Sequence, residues 1–374
     1  MITQLTKEKY KIVVDNGFDL NGKRKRIFET FYGSKKEAKL RELEIKKSVK
    51  YGDYVKTCSM TFEELTDRYF EDYVIPNLSV KTISSYKQLS KRINGILGQY
   101  LIKNINPLTL SDLYKKLRLS DDGRLITNNT LLHYYNFING VLKFGVSMQL
   151  ITSNPNERIR RPKIVKNEIE IYTPDEVKKL LKCLEKENIK YQAIIVLALD
   201  SGCRRSELLG ATWDDINLET KTFHINKSTV WVDGKIINKE TKNPSSNRTI
   251  ILTDYTVEIM KKYKEGQVTK KQLLRDRWGN SNKIFTTEDG NQMFPDTPSK
   301  ILNKIIVKYN LKKISFHKLR HISASLQIYL GIHSKVISER LGHSNISTTM
   351  NIYSHIFKTV RQETADKLNH LFME

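Results

Sequence analysis

Acidic residues are scarce in this chain of 374 residues: 41 Asp and Glu stand against 64 Lys and Arg, a formal net charge of +23. The excess is spread along the chain rather than confined to one tail. A balance this basic points to a polyanionic partner, most often nucleic acid. A lysine-rich proteome from an AT-rich genome would contribute to the same excess. Cysteine is also sparse. Cys58, Cys183 and Cys203 are odd in number and far apart, which excludes a readable disulfide framework or zinc spacing and fits a reducing cytoplasm. The first residues, MITQLTKEKY, lack the apolar core of a secretory signal. No apolar run approaches the ~18 residues of a membrane span, so no membrane partner is expected. The longest run, AIIVLALD (193–200), reads as a buried core helix. Internal repeats and low-complexity tracts are absent as well.

What is present divides into segments. At roughly 100–200 residues per domain, the length predicts two or three domains. Residues 1–56 read as a small sheet plus one helix. YKIVVD alternates like a strand, Asn21-Gly22 is a hairpin turn, and KRKRIFETFYG is the returning strand. Ser34 and Glu37 then have capping-box spacing before a helix to about Tyr51. The run Lys23, Arg24, Lys25, Arg26 lies beside the turn. It is either a solvated hairpin or a basic edge offered to a duplex groove.

Residues 60–155 read as all-helical. Thr61 and Glu64 open a helix to about Val74, where Pro76-Asn77 is expected to break it. Further helices are predicted from Ser79 to about Ile96, near 109–118, and from about Asn128 to Met148. Lys81, Lys87, Lys91 and Arg92 decorate the second of these, as a solvated face or a DNA contact. SNPNERIRRPKIVKNEIE (153–170) is the clearest linker. Thr173, Pro174 and Glu176 then start a new helix. Residues 168–374 read as a mainly helical domain with a small antiparallel sheet around an Asp233-Gly234 turn.

Four stretches of that last segment could carry chemistry. In SGCRRSELLG (201–210), Gly202 permits a sharp turn that leaves Arg204 near a helix start, where a guanidinium and free backbone N–H groups can hold an anion. Arg204 and Glu207 also have the spacing of a simple ion pair. In SFHKLRH (315–321), Ser315 is a candidate cap, and His317 and Arg320 share a face at i, i+3. His317 and His321 have zinc-compatible spacing, but the glutamate of an HExxH site is missing, so no metal is expected. An anion that takes donors from His317 and Arg320 explains the crowding of like charges better. In RLGHSNISTTMNIYSHI (340–356), Gly342 ends a helix, His343 follows, and Tyr353 lies on a final short helix. Lys242 sits in the turn of KETKNPSSNRTI, where a lone lysine is ordinarily just solvated.

Together these stretches resemble the tyrosine recombinases of the phage integrase family. SGCRRSEL resembles the family's first arginine box, with Arg204 in the catalytic place. HKLR resembles its His-x-x-Arg box, giving His317 and Arg320. LGHSNISTTMNIY resembles its Leu-Gly-His followed by tyrosine, giving His343 and Tyr353, and the strand-turn lysine corresponds to Lys242. Ser201 stands where threonine is usual and Arg205 where an apolar residue is usual, and box register favours Arg204 over Arg205. Residues 1–56 resemble the arm-site-binding domain of lambda-type integrases, 60–155 their core-site-binding domain and 168–374 their catalytic domain.

The resemblance implies a multidomain, mainly α fold with small antiparallel sheets and a catalytic domain like those of tyrosine recombinases and type IB topoisomerases. It implies strand cleavage by Tyr353 through a 3′-phosphotyrosyl link, with Glu207 positioning Arg204 and with no ATP, metal or other cofactor. The implied partners are double-stranded attachment sites (core and arm), a homotetramer on DNA, an excisionase and DNA-bending accessory proteins, in the nucleoid of a bacterial host. A type IB topoisomerase-like relaxing enzyme and a non-cleaving regulator are the alternatives.

Overall fold

A computed structural model gives the fold. It describes all residues except 19–20, 52–58, 121, 165–169, 241–246, 280, 343–368, 370, 371 and 374, and only the backbone of Tyr51, Lys239 and Glu240. Two compact units divide the chain, residues 1–166 and 167–374.

The first unit opens with an antiparallel sheet ordered β1 (Ile2–Thr6), β2 (Lys9–Phe18), β3 (Arg24–Tyr32), followed by α1 (Lys35–Tyr51). The period-two pattern works as read. Tyr10, Ile12, Val14 and Ile27 are buried, as are Ala38 and Ile45 of α1. Ser34 and Glu37 close the capping box before α1, with Ser34 N donating to Glu37 Oε2 at 2.8 Å and Glu37 N to Ser34 Oγ at 3.3 Å.

The helical remainder of this unit comprises α2 (Phe62–Tyr69), a π turn (Phe70–Val74) continued by α3 (Ile75–Asn77), then α4 (Val80–Leu97), α5 (Pro107–Leu117) and α6 (Asn128–Ser147). The expected break at Pro76 is instead absorbed. Proline removes an N–H and crowds the carbonyl four residues back, and the wider π turn lets the helix run to Asn77. Phe62, Leu65, Ile93, Leu97, Leu110 and Phe137 fill the core these helices enclose.

The second unit holds α7 (Pro174–Leu184), α8 (Ile189–Ser201), α9 (Arg205–Gly210), α10 (Asp254–Leu274), α11 (Thr297–Lys308), α12 (Phe316–Tyr329) and α13 (Ser334–Leu341). Thr173 and Glu176 make both capping-box bonds at the start of α7. Among the described residues two small sheets form rather than one. β4 (Ile216–Asn217), β5 (Thr222–Ile225) and β8 (Arg248–Ile251) make the first, and β6 (Lys227–Val232) pairs with β7 (Lys235–Glu240) as a separate hairpin. Asp233 and Gly234 turn that hairpin with φ of 49° and 79°, the double positive φ of a type I′ turn. α8 is buried almost all round and forms the axis of the unit. It ends at Gly202 with φ 60°. A Cβ there would meet Leu341 Cδ2 at 2.5 Å, so only glycine both turns the chain and admits α13. Among the described residues, no helix is long and apolar enough to cross a membrane.

Candidate active site

The end of α8, the start of α9, the first turn of α12, the first residue of β8 and the end of α13 converge on Glu207. This carboxylate is only 3% exposed in its side chain. Its Oε1 accepts from Arg204 Nη1 at 2.6 Å. Its Oε2 accepts from the Arg204 backbone N–H at 2.9 Å and from Arg248 Nη2 at 2.9 Å. The N–H expected to be free for an anion is therefore taken by Glu207. What faces outward is the Arg204 guanidinium, whose side chain is 38% exposed, and its Nη2 reaches the carbonyl of Gly342 at 3.5 Å. Arg320, buried on α12, donates from Nη1 to the carbonyl of Gly202 at 2.9 Å, while its buried Nη2 has no partner among the described residues. Three guanidiniums around one carboxylate leave a positive excess. A buried donor without a partner is costly, and an anionic oxygen would satisfy it.

The electrostatics follow from this crowding. Burial, and then the charge of Arg204, push Arg320 down to about 10 even though Glu207 opposes the shift. Burial pulls Glu207 up, but Arg248 and Arg204 outweigh it and hold the carboxyl below its ordinary value. His317 keeps an exposed edge, yet partial burial and the charges of Arg320 and Arg204 lower it. His321 meets the His317 ring edge-on, with centroids 5.1 Å apart, and burial with its cationic neighbours pushes it down to about 4. Both imidazoles are thus neutral near pH 7, which removes the repulsion that SFHKLRH suggests. A histidine that binds its proton more weakly when folded costs stability in acid, because the unfolded chain then takes up the proton. Stability should therefore fall as pH drops from about 6.5 toward 4. The His321→Asn variant should lose less over that window than the parent in urea melts, and an equal loss would remove His321 as the cause.

Comparison with known proteins decides the family. The phage integrase family matches residues 170–359, and the N-terminal SAM-like domain of phage integrases matches residues 61–118. The chain belongs to the phage integrase family. Across 98% of its length it is 29% identical to a tyrosine recombinase XerC-like protein of Caldanaerobacter subterraneus subsp. tengcongensis, covering 97% of that protein. Across 99% it is 24% identical to the ICEBs1 integrase of Bacillus subtilis, again covering 99% of the relative. The fold resembles that of the Tn1549 transposon integrase solved with circular-intermediate DNA, with a TM-score of 0.69 at 19% identity, covering 82% of this chain and 99% of that one. A lambda integrase tetramer bound to a Holliday junction matches with a TM-score of 0.56 at 16% identity, covering 92% and 95%.

In this integrase the structure brings Arg204, Glu207, His317 and Arg320 together. Lys242, His343 and Tyr353 lie outside the described residues. The strands flanking Lys242, β7 and β8, are in place, and α13 ends at Gly342 with φ 68°, immediately before His343. Arg205 points elsewhere, its Nη1 bonded to Asp296 Oδ1 at 3.0 Å and Ser299 Oγ at 2.9 Å. Ser315 occupies the cap position of α12 but makes no side-chain cap bond. In the first unit, Lys23, Arg24, Lys25 and Arg26 are exposed, as are Lys81, Lys87 and Lys91. Arg24 pairs with Asp15 at 3.1 Å. Arg92 differs from its neighbours: it lies 5.7 Å over the Tyr134 ring and bonds the Tyr134 hydroxyl and the Leu119 carbonyl. Sequence reasoning missed Arg248. Its only signal was a charged residue opening the strand after the Lys242 turn.

Proposed function

We propose that this integrase cuts and rejoins double-stranded DNA at specific attachment sites, integrating and excising a phage or other mobile element. The observation that carries the reading is the buried Nη2 of Arg320, which has no partner among the described residues, beside Arg204, a setting that fits a phosphodiester. In the reaction, Tyr353 Oη attacks the scissile phosphorus, the bond from phosphorus to the 5′-oxygen breaks, and a 3′-phosphotyrosyl ester remains. Arg204 and Arg320 hold the non-bridging oxygens and stabilise the charge gained in the transition state, with Glu207 fixing Arg204. A phenol ordinarily titrates near 10, so it needs help to act as a nucleophile. The neutral His317 ring accepts its proton. Lys242 protonates the departing 5′-oxygen, and His343 donates a hydrogen bond to the phosphate. The ester conserves the bond energy, so attack by the 5′-hydroxyl of a second strand reverses the step without ATP or metal. Exchange then passes through a Holliday junction held by four protomers.

Replacing Lys242 by alanine should slow cleavage of an ordinary 5′-oxygen leaving group. A 5′-thio leaving group needs no proton and should recover most of the rate. Absence of that rescue would take the general-acid role from Lys242 and pass it to Lys239.

The three segments take separate duties in this reading: residues 1–56 bind arm sites, 60–155 grip the core site, and 168–374 carry the chemistry. The outer sheet face supports the first duty. Phe28 and Tyr32 are 62% and 68% exposed, with Lys11 Nζ 5.2 Å from the Phe28 centroid and Lys9 Nζ 5.4 Å from that of Tyr32. Cations braced on exposed rings suit a groove lined by phosphates and bases. Deleting 1–56 should spare core-site cleavage while abolishing efficient integration, and arm binding by the full chain should weaken steeply with salt as counterions are released. Full integration by the truncated protein would refute the arm-site assignment. An excisionase and DNA-bending proteins complete the assembly in the nucleoid of the bacterial cytoplasm. The decisive assay offers two DNA molecules carrying the cognate site. Joined recombinants support the reading, relaxation alone points to a topoisomerase-like enzyme, and binding without either points to a regulator.

A further inference from the structure

Arg204 is a long, part-exposed side chain, so something must hold its fork toward the phosphate. Among the described residues its side chain has two contacts, Glu207 Oε1 and the carbonyl of Gly342. One residue grips Glu207 and the chain just before Gly342 from behind. Arg248 Nη2 takes the other oxygen of Glu207 at 2.9 Å, and Arg248 Nε takes the carbonyl of Arg340, two residues before Gly342, at 2.7 Å. The Arg340 side chain is itself fixed, with Nη2 on Asp200 Oδ1 at 2.8 Å and Nη1 on the Ile251 carbonyl at 3.0 Å. The Arg248 side chain is only 7% exposed and turned inward, too deep to touch a duplex.

We propose that Arg248 is a positioning residue for strand cleavage: it locks the Glu207 carboxylate and the C-terminal carbonyls of α13 into one frame, and that frame aims Arg204. This rests on the recombinase reading given above. Two features favour orientation over mere stability. A buried ion pair is a poor source of stability compared with an apolar pair of similar size. The bridge also needs two donors diverging from one rigid plane, which arginine supplies and lysine does not. The same frame fixes the point from which the chain runs on toward His343 and Tyr353.

The test measures single-turnover covalent adduct formation by the full chain at saturating DNA, using a nicked duplex that traps the cleaved state. One substrate carries an ordinary scissile phosphodiester. The other carries a methylphosphonate, which has no charged non-bridging oxygen for Arg204 to neutralise. Arg248→Met should lower the rate on the phosphodiester by roughly 100-fold, in the range seen when one transition-state donor is lost. Its rate relative to the parent should be largely restored on the methylphosphonate. Arg248→Lys should fall between. The double variant Arg248→Met/Glu207→Gln should lose no more than the worse single variant, because coupled groups are not additive. It also leaves no unpaired buried carboxylate, so it carries the comparison with Glu207→Gln if Arg248→Met alone does not fold. Equal losses on both substrates, multiplied losses in the double variant, or parental activity in Arg248→Lys would overturn the assignment. A parent that forms no adduct would overturn the recombinase reading itself, whereas a cleaving parent matched by Arg248→Met overturns only the role of Arg248.

Discussion

Arg320→Met is expected to melt no lower than the parent while cleaving DNA about 10²–10³ times more slowly. The two halves of that expectation come from one observation. Arg320 places a guanidinium in the protein interior whose partners among the described residues are one carbonyl on Nη1 and none on the buried Nη2. Arg204 adds like charge, enough with burial to push Arg320 down to about 10. A buried charge without adequate compensation destabilises the fold, so an unbranched apolar side chain of similar length relieves it. In the proposed mechanism the scissile phosphate relieves this strain on binding, and more so as charge grows in the transition state. A melting midpoint well below the parent's, with cleavage intact, would show that Arg320 is structural instead.

Tyr353→Phe should abolish the covalent adduct altogether while leaving DNA affinity at the parental level. The substitution removes one oxygen and little volume, and in the proposed mechanism Arg204 and Arg320 still hold the phosphate. Loss of a nucleophile is among the largest single effects in catalysis, on the order of 10⁶ in rate for a serine nucleophile. Two other tyrosines in the same segment are poor substitutes. Tyr309 donates its hydroxyl to Glu187 at 2.8 Å. Tyr329, 52% exposed, closes α12 twelve residues after His317, about 18 Å away along the helix axis. Residual adduct in Tyr353→Phe would return the nucleophile to open competition among them.

The parts of this site that were legible in the sequence are the local ones. Arg204 follows a glycine that must turn, and His317 and Arg320 are a helical turn apart, so a short window shows each. Arg248 was illegible because a cation opening a strand after a polar turn looks solvated. Its burial arises only when α13 closes over β8 and Glu207 comes from the other side. Arg92 shows the same limit in reverse. In sequence it is one of four cations on a helix face, but Tyr134, 42 residues away, draws it inward. In the fold, the capped helices were readable because Thr61, Ser79 and Thr173 announce their starts. β1 was missed because ITQLT has no clean alternation and gains its strand form from pairing with β2. The hairpin of β6 and β7 was merged with its neighbours because strand runs reveal length and period but not partner choice.

The most direct test of the whole account is a nicked suicide duplex carrying the element's own core site, incubated with the full chain and analysed by peptide mass spectrometry. The account predicts a covalent protein–DNA adduct through a 3′-phosphate, with the modified peptide containing Tyr353 and the phosphate on that phenol. No adduct, or an adduct mapped to any other residue, would contradict it.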